Sequence, residues 1–400
     1  MTLRERKIVT FLLKHKEIIM LMLISLLALS IRIVLIEFRS YDYNFFLDPW
    51  YQQISEGGRI AALRKQVGNY GIPYQFIITL FTYLPGKNIF WYKGLSIFFD
   101  YILAIVGAYI LNKIISNPSK NTFVITYSVI LFVPTIIMDS GLWGQCDSIY
   151  VSFILLSLLS LLYEKDLLAF ISLGIAFAFK LQTVFILPLY LLLYIKQRRF
   201  SILYFGVSLL AFYICSLPGI VMGRKWYEPF TIYFMQTSET HINMYYPNLS
   251  GIIYKVSQHN LPLYIMLKYF FILLTIGALL IGCYFIISYA GATLTGKDLL
   301  FYAVWISWTC VMFLPSMHDR YGYLTEVLLV ILSIAVPKYW VNTFIALISS
   351  FIFYSHAMFG MSVNLTLFSD IAVINYCVFT LLVFRDSSKR HIKMREDINI

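Results

Sequence analysis

Trp143, Gln145 and Asp147 alternate along Ser140-Gly-Leu-Trp-Gly-Gln-Cys-Asp-Ser148, in the seam between two long apolar runs. An indole N–H, an amide and a carboxylate so spaced can orient the hydroxyls of a ligand. Left beside lipid without partners they are costly, so the cluster reads as a binding element rather than as an interfacial anchor alone. Three more segments carry similar groups. Arg39-Ser-Tyr-Asp-Tyr-Asn-Phe-Phe-Leu-Asp-Pro-Trp50 holds two carboxylates six residues apart. Asp48, before Pro49, reads first as the cap of a helix beginning at Trp50, with ligand contact as its second role. Asp42 has no such helix to start and is the better candidate for a general base. Lys180 and Gln182 interrupt the apolar stretch Ile175 to Phe185, where a snorkelling lysine is the plain reading. The chemical alternative is a cation offered to a lipid phosphate, with Gln182 donating to the same group or to a sugar hydroxyl. Finally, Ser316-Met-His-Asp-Arg-Tyr321 sets an imidazole, a carboxylate and a guanidinium in succession. Pairing accounts for Asp319 with Arg320, and the histidine beside them points to an anion site built on His318 and Arg320. A divalent metal between these groups and Asp42 is not favoured, since no one element carries ligand spacing, and the sequence requires no cofactor.

The elements that must position these groups are membrane helices. Hydrophobic residues form 60% of the 400, charged residues only 13%, and mean hydropathy is +0.76, which excludes an ordinary soluble domain. The expected fold is all-α: one integral membrane domain over residues 1–400, a polytopic bundle of about twelve transmembrane helices. These are placed near 18–38, 89–112, 121–138, 148–163, 166–181, 183–195, 200–221, 263–290, 298–316, 320–336, 339–358 and 367–384. A first outer loop over 39–88 carries interfacial helices, among them 72–84, too short to cross before Pro85-Gly86. A large outer loop spans 222–262. The first apolar run follows a basic segment and lacks a small-residue cleavage site, so it is expected to be retained as a span. The clusters at 4–7, 196–199 and 389–393 put both termini in the cytoplasm by the positive-inside rule. All the unusual polar segments then share the outer face. Five scattered cysteines suggest no disulfide framework. The net charge of +11 is spread over short loops, which favours membrane lipids over nucleic acid as partner.

In order along the chain, Asp42-Tyr-Asn-Phe-Phe-Leu-Asp-Pro-Trp-Tyr, Asn69-Tyr70, the Trp-Gly-Gln-Cys-Asp segment, Phe179-Lys-Leu-Gln and His318-Asp-Arg-Tyr resemble the outer-face motifs of the GT-C superfamily of integral membrane glycosyltransferases. The similarity covers most of residues 18–340. It is closest to members with a Trp-Gly-Gln-x-Asp signature, which are similar to the dolichyl-phosphate-mannose and -glucose transferases. The resemblance implies a polyprenyl-phosphate-linked sugar as donor and a glycan or glycolipid as acceptor. It also implies a catalytic acid falling on Asp42 and donor-phosphate contacts falling on Lys180, His318 and Arg320. Asp48, Asn69, Tyr70, Trp143, Gln145, Asp147, Gln182, Asn248 and Asp319 are the further substrate-binding candidates, and the expected location is the bacterial plasma membrane. Two positions depart from the pattern: Asn248 is followed by Leu249 where members often carry Trp, and Asp319 stands where Glu is common.

Chemistry gives the same outline. A lipid phosphate is a good leaving group, so transfer needs cations on the departing phosphate and one base for the acceptor hydroxyl, in a single inverting displacement. Two other readings remain at this level. A lipid-linked sugar flippase would also have about twelve spans, and an outer-face polysaccharide polymerase would favour Arg pairs near the large loop, where Arg224-Lys225 is the adjacent basic pair.

Overall fold

In hydrocarbon the main chain must satisfy its own hydrogen bonds, and the long apolar runs accordingly fold as helices. The structure is a computed structural model that describes residues 2–236, 241–253, 261–289 and 294–398. Among these residues there is no strand, only isolated bridges joining Met244 and Tyr245 to His318. The chain begins with α1 (Leu3–Lys14), closed by a Thr2/Glu5 capping box, and α2 (Lys16–Leu35). A π-turn over Tyr43–Leu47 leads into α3 (Asp48–Glu56), a 3-10 turn (Arg59–Arg64) and α4 (Ile72–Phe81). Then come α5 (Asn88–Ile114), α6 (Lys120–Leu131), α7 (Pro134–Ile137), a second π-turn over Met138–Trp143, α8 (Asp147–Leu162) and α9 (Asp166–Phe179). A 3-10 turn (Leu181–Ile186) precedes α10 (Leu187–Gln197), α11 (Tyr204–Val221), α12 (Glu228–Gln236) and α13 (Leu249–Ile252). The last helices are α14 (Leu261–Tyr289), α15 (Gly296–Phe313), α16 (Tyr323–Ala335), α17 (Trp340–Phe359) and α18 (Leu365–Ile398).

Six of these segments are long and apolar enough to cross a membrane: α2, α5, α11, α14, Pro337–Phe359 and Leu365–Asp386. The protein is therefore a helical, membrane-embedded chain. The run expected to cross over 121–138 is instead broken, with Asn121–Leu131 and Pro134–Trp143 meeting at 56°. Pro134 explains the break, because it has no N–H to continue the α6 ladder. The segments expected at 148–163, 166–181, 183–195 and 320–336 fold as shorter apolar helices. Burial separates the long helices by role. The apolar window of α2 is only 11% buried and faces outward, whereas that of α5 is 56% buried and forms the centre, packed on α6 and α8.

Candidate active site

One face of α5 organises the site, because residues four apart on a helix stack above one another. Tyr92 donates its hydroxyl to Leu47 O at 2.9 Å, and Lys93 donates to Leu35 O at 3.1 Å and Phe38 O at 2.6 Å. These bonds fix the first loop on either side of Asp42. Ser96 donates to the carbonyl of Gln145, and Asp100 accepts from Ser140 Oγ at 2.5 Å, which fixes the second π-turn. Gly144 makes the reversal between Trp143 and Gln145 possible: its φ is +74°, and a Cβ there would meet Lys93 Cγ at 3.2 Å.

Asp42 is thereby brought against the Trp-Gly-Gln segment. Its Oδ2 accepts from Trp143 Nε1 at 2.9 Å and from Gln145 Nε2 at 2.8 Å. Tyr70 donates to Gln145 Oε1 at 2.5 Å, which sets the amide with its N–H toward Asp42. Burial pushes the Tyr70 hydroxyl well above the usual tyrosine range, so it remains a donor. The other Asp42 oxygen makes no hydrogen bond among the described residues, and the side chain keeps 23% of its exposure.

Asp147 opens α8, where the helix dipole favours an acid. It is wholly buried and takes Lys180 Nζ on Oδ1 at 2.5 Å. Lys180 stands in extended backbone where α9 stops, and its ammonium lies 5.6 Å from the Tyr321 ring. Arg320 joins the two halves. Its guanidinium lies 3.7 Å from Asp42 Oδ2, 3.7 Å from Asp147 Oδ2 and 3.6 Å from Asp319 Oδ1, and sits 5.1 Å over the Trp143 ring. Those separations are ion-pair contacts beyond hydrogen-bond length, and Arg320 Nε, though buried, has no hydrogen-bond partner among the described residues.

Burial raises the Asp319 carboxyl to about 7, against the opposing pull of Arg320 and with help from Asp42 and Asp147. His318 goes the other way, lowered to about 3 by burial and then by Arg320 and Lys180. It is thus a neutral imidazole at physiological pH, able to donate to a phosphate but not to bring the positive charge that its sequence neighbours suggest. Main-chain bonds hold this segment to residues 242–244: Met244 N to Met317 O at 3.0 Å, Asp319 N to Met244 O at 3.1 Å, and Ser316 N to Ile242 O at 2.8 Å.

Other candidates lie outside the cluster. Asp48 is no cap: α3 already begins there, and its Oδ1 accepts from Asn88 Nδ2 at 2.5 Å, linking the first loop to α5. Asn69 is exposed beside buried Tyr70. Asn248 is a structural clamp, donating to Val311 O at 2.9 Å and Leu314 O at 3.2 Å while its Oδ1 accepts from Asn243, Ser250 and Gly251. Of the long loop expected over 222–262, 237–240 with Glu239 and 254–260 lie outside the described residues. Gln182 is buried, with Oε1 lacking a hydrogen-bond partner among the described residues, in the wall of a cavity of about 300 Å³ between the 181–186 turn, α14 and the 314–321 connection. Leu181, Phe185, Lys268, Ile272 and Tyr321 also line it. Tyr321 is shared, since its ring lies 5.0 Å from that of His318.

Sequence reasoning overlooked several buried groups. Arg32 and Asp100, each 0% exposed, pair at 2.8 Å within the helices. The signal was available: a lone cation in one apolar run and a lone acid in another must find a partner. Arg224 is buried and donates at 2.6 Å to Leu63 O, Lys65 O, Gln66 Oε1 and Gln75 Oε1, so it braces the first loop and is no surface cation. Asp139 is fully buried with neither carboxylate oxygen hydrogen-bonded among the described residues, and no physical account of it follows from its surroundings. No protein-family model and no curated protein matches this chain.

Proposed function

We propose that the cluster is the active site of an integral membrane glycosyltransferase. It moves a hexosyl group from a polyprenyl-phosphate donor to a hydroxyl of a glycan or glycolipid, on the outer face of a bacterial plasma membrane. The observation that carries this reading is Asp42 itself. One oxygen is held by two N–H donors and the other is open, beside a guanidinium with an unused buried donor, while Tyr321, whose ring lies beside His318 and Lys180, also lines a largely apolar cavity. The open oxygen takes the acceptor proton as that hydroxyl attacks the anomeric carbon. The bond from that carbon to the phosphate oxygen breaks, its electron pair leaves with the polyprenyl phosphate, and configuration inverts. Arg320 carries the growing phosphate charge, with neutral His318 as a donor beside it. Lys180 is committed to Asp147, so it acts on the phosphate through its field. The cavity of about 300 Å³ suits the first units of a prenyl chain.

The same reading takes the shorter apolar helices as further crossings, about twelve in all, with both termini in the cytoplasm. The basic residues of α1 and of the 196–199 connection support that orientation. The decisive experiment incubates purified protein in detergent with a panel of polyprenyl-phosphate sugars and follows free polyprenyl phosphate by mass spectrometry. Asp42→Asn should cut turnover by about 10²- to 10⁴-fold while donor affinity stays within roughly tenfold. Intact transfer by the variant, or movement of lipid-linked sugar across vesicles without cleavage by the wild type, excludes the proposal and favours a flippase.

A further inference from the structure

We infer that the buried Arg32–Asp100 pair, together with Ser140, is a positioning device that aims Trp143 and Gln145 at Asp42. That it serves catalysis rests on the transferase reading; that it sets the turn does not. The apolar run over 121–138 is broken before Pro134. Breaking a helix strands its last carbonyls, which in a membrane interior find no water. Arg32 Nη2 answers one of them, donating to Leu131 O, the last residue of α6, at 3.1 Å. Its Nη1 donates to Ala28 O at 3.2 Å and its Nε to Asp100 Oδ2 at 2.8 Å. The same Asp100 oxygen accepts from Ser140 Oγ at 2.5 Å, at the middle of the π-turn. A single guanidinium–carboxylate unit therefore ties α2, the end of α6, α5 and the 138–143 turn at one point.

From Ser140 the path to Asp42 is short. Trp143 follows by three residues and Gln145 by five, and both donate to the same oxygen of Asp42. The Gln145 amide N–H is bonded back to Asp139 O at 3.0 Å, and Ser148 Oγ reaches Ser96 O at 3.0 Å, so the turn closes on itself and on α5. Rotation at Ser140 would carry both donors off the carboxylate together.

Stability alone would not call for such a pair. A buried ion pair is often replaced by apolar residues of similar size with little loss, whereas removal of one partner is strongly destabilising. That difference supplies the test. In a background where Cys215, Cys283, Cys310 and Cys377 are Ser, the remaining Cys146 is wholly buried beside Gln145 and reports the state of the turn. Arg32→Met with Asp100→Leu should melt near the parent temperature, yet react with N-ethylmaleimide at Cys146 about tenfold faster or more. Glycosyl transfer should fall in turnover with donor affinity unchanged. Ser140→Ala, which deletes one hydroxyl, should move both readouts in the same direction, and Ser140→Thr should restore them. A folded double variant with Cys146 as protected as in the parent would show that the pair only stabilises. If the double variant fails to fold, Ser140→Ala decides, and parental Cys146 protection there overturns the inference. Thiol labelling needs no substrate, so the clamp can be judged even where no transfer is detected in the wild type.

Discussion

Raising the pH from 6 to 8 should weaken donor binding through Asp319. Its carboxyl lies 3.6 Å from Arg320 and is raised to about 7, chiefly by burial. Below that value it is protonated, and the guanidinium faces one negative neighbour fewer. Above it, Asp319 competes with an incoming phosphate for the same cation. The protonated share falls from about nine-tenths at pH 6 to about one-tenth at pH 8, so if the anion binds only that form, Kd rises about tenfold. Residual binding to the ionised form makes the rise smaller. The other acids around Arg320 are Asp42, Asp147 and buried Asp139, with Lys180 paired to Asp147, while His318 stays neutral throughout. A polyprenyl-phosphate sugar is a phosphodiester with one fixed charge, so its own titration does not intrude. Equilibrium binding of a polyprenyl-phosphate sugar in detergent at constant ionic strength measures the slope, and Asp319→Asn should flatten it. A wild-type Kd unchanged over this range, or an unaltered slope in the variant, would refute the assignment. The same shift has a sign for stability. A carboxyl raised from 3.8 to about 7 holds its proton in the folded state where the unfolded chain has lost it, so stability falls as pH rises through that window.

Trp143→Phe keeps an aromatic ring beneath Arg320 and edge-on to Tyr354, whose ring lies 5.2 Å away, but removes the N–H to Asp42. Turnover should drop by roughly 10- to 100-fold with little change in melting temperature, and parental turnover would show that this bond is idle. Arg320→Lys keeps the charge but loses the planar fork, so donor affinity should fall by about tenfold or more in the binding assay. Arg224→Met leaves four loop acceptors without their donor. It should destabilise the protein by about 1–3 kcal/mol and speed proteolytic cleavage within 57–71 before global unfolding, as limited proteolysis would detect.

Helical class and membrane embedding were legible because hydropathy is a property of runs, which need no partner to be read. Asp42, Gln145, Asp147, Lys180 and Arg320 could be singled out for a similar reason, as polar groups interrupting those runs. Their pairing could not. The sequence sets Lys180 and Arg320 apart as two cations for one anion, yet Lys180 is consumed by Asp147, 33 residues earlier. His318 reads as a cation until its burial and its positive neighbours are known. Asp48 before Pro49 has the pattern of a cap, but the preceding π-turn carries helical geometry through Leu47 and frees the carboxylate for Asn88. The break at Pro134 was hidden because both arms are apolar and only the angle between them distinguishes a bend from a crossing.

The tether between 242–244 and 316–319 is made of peptide groups. A change of side chain at Met244, Tyr245 or Met317 deletes none of its main-chain bonds, whereas proline at Met244 or Asp319 removes a donor outright. Because Asp319 N is one of its donors, the position of the 242–244 segment and that of the carboxylate facing Arg320 are fixed together.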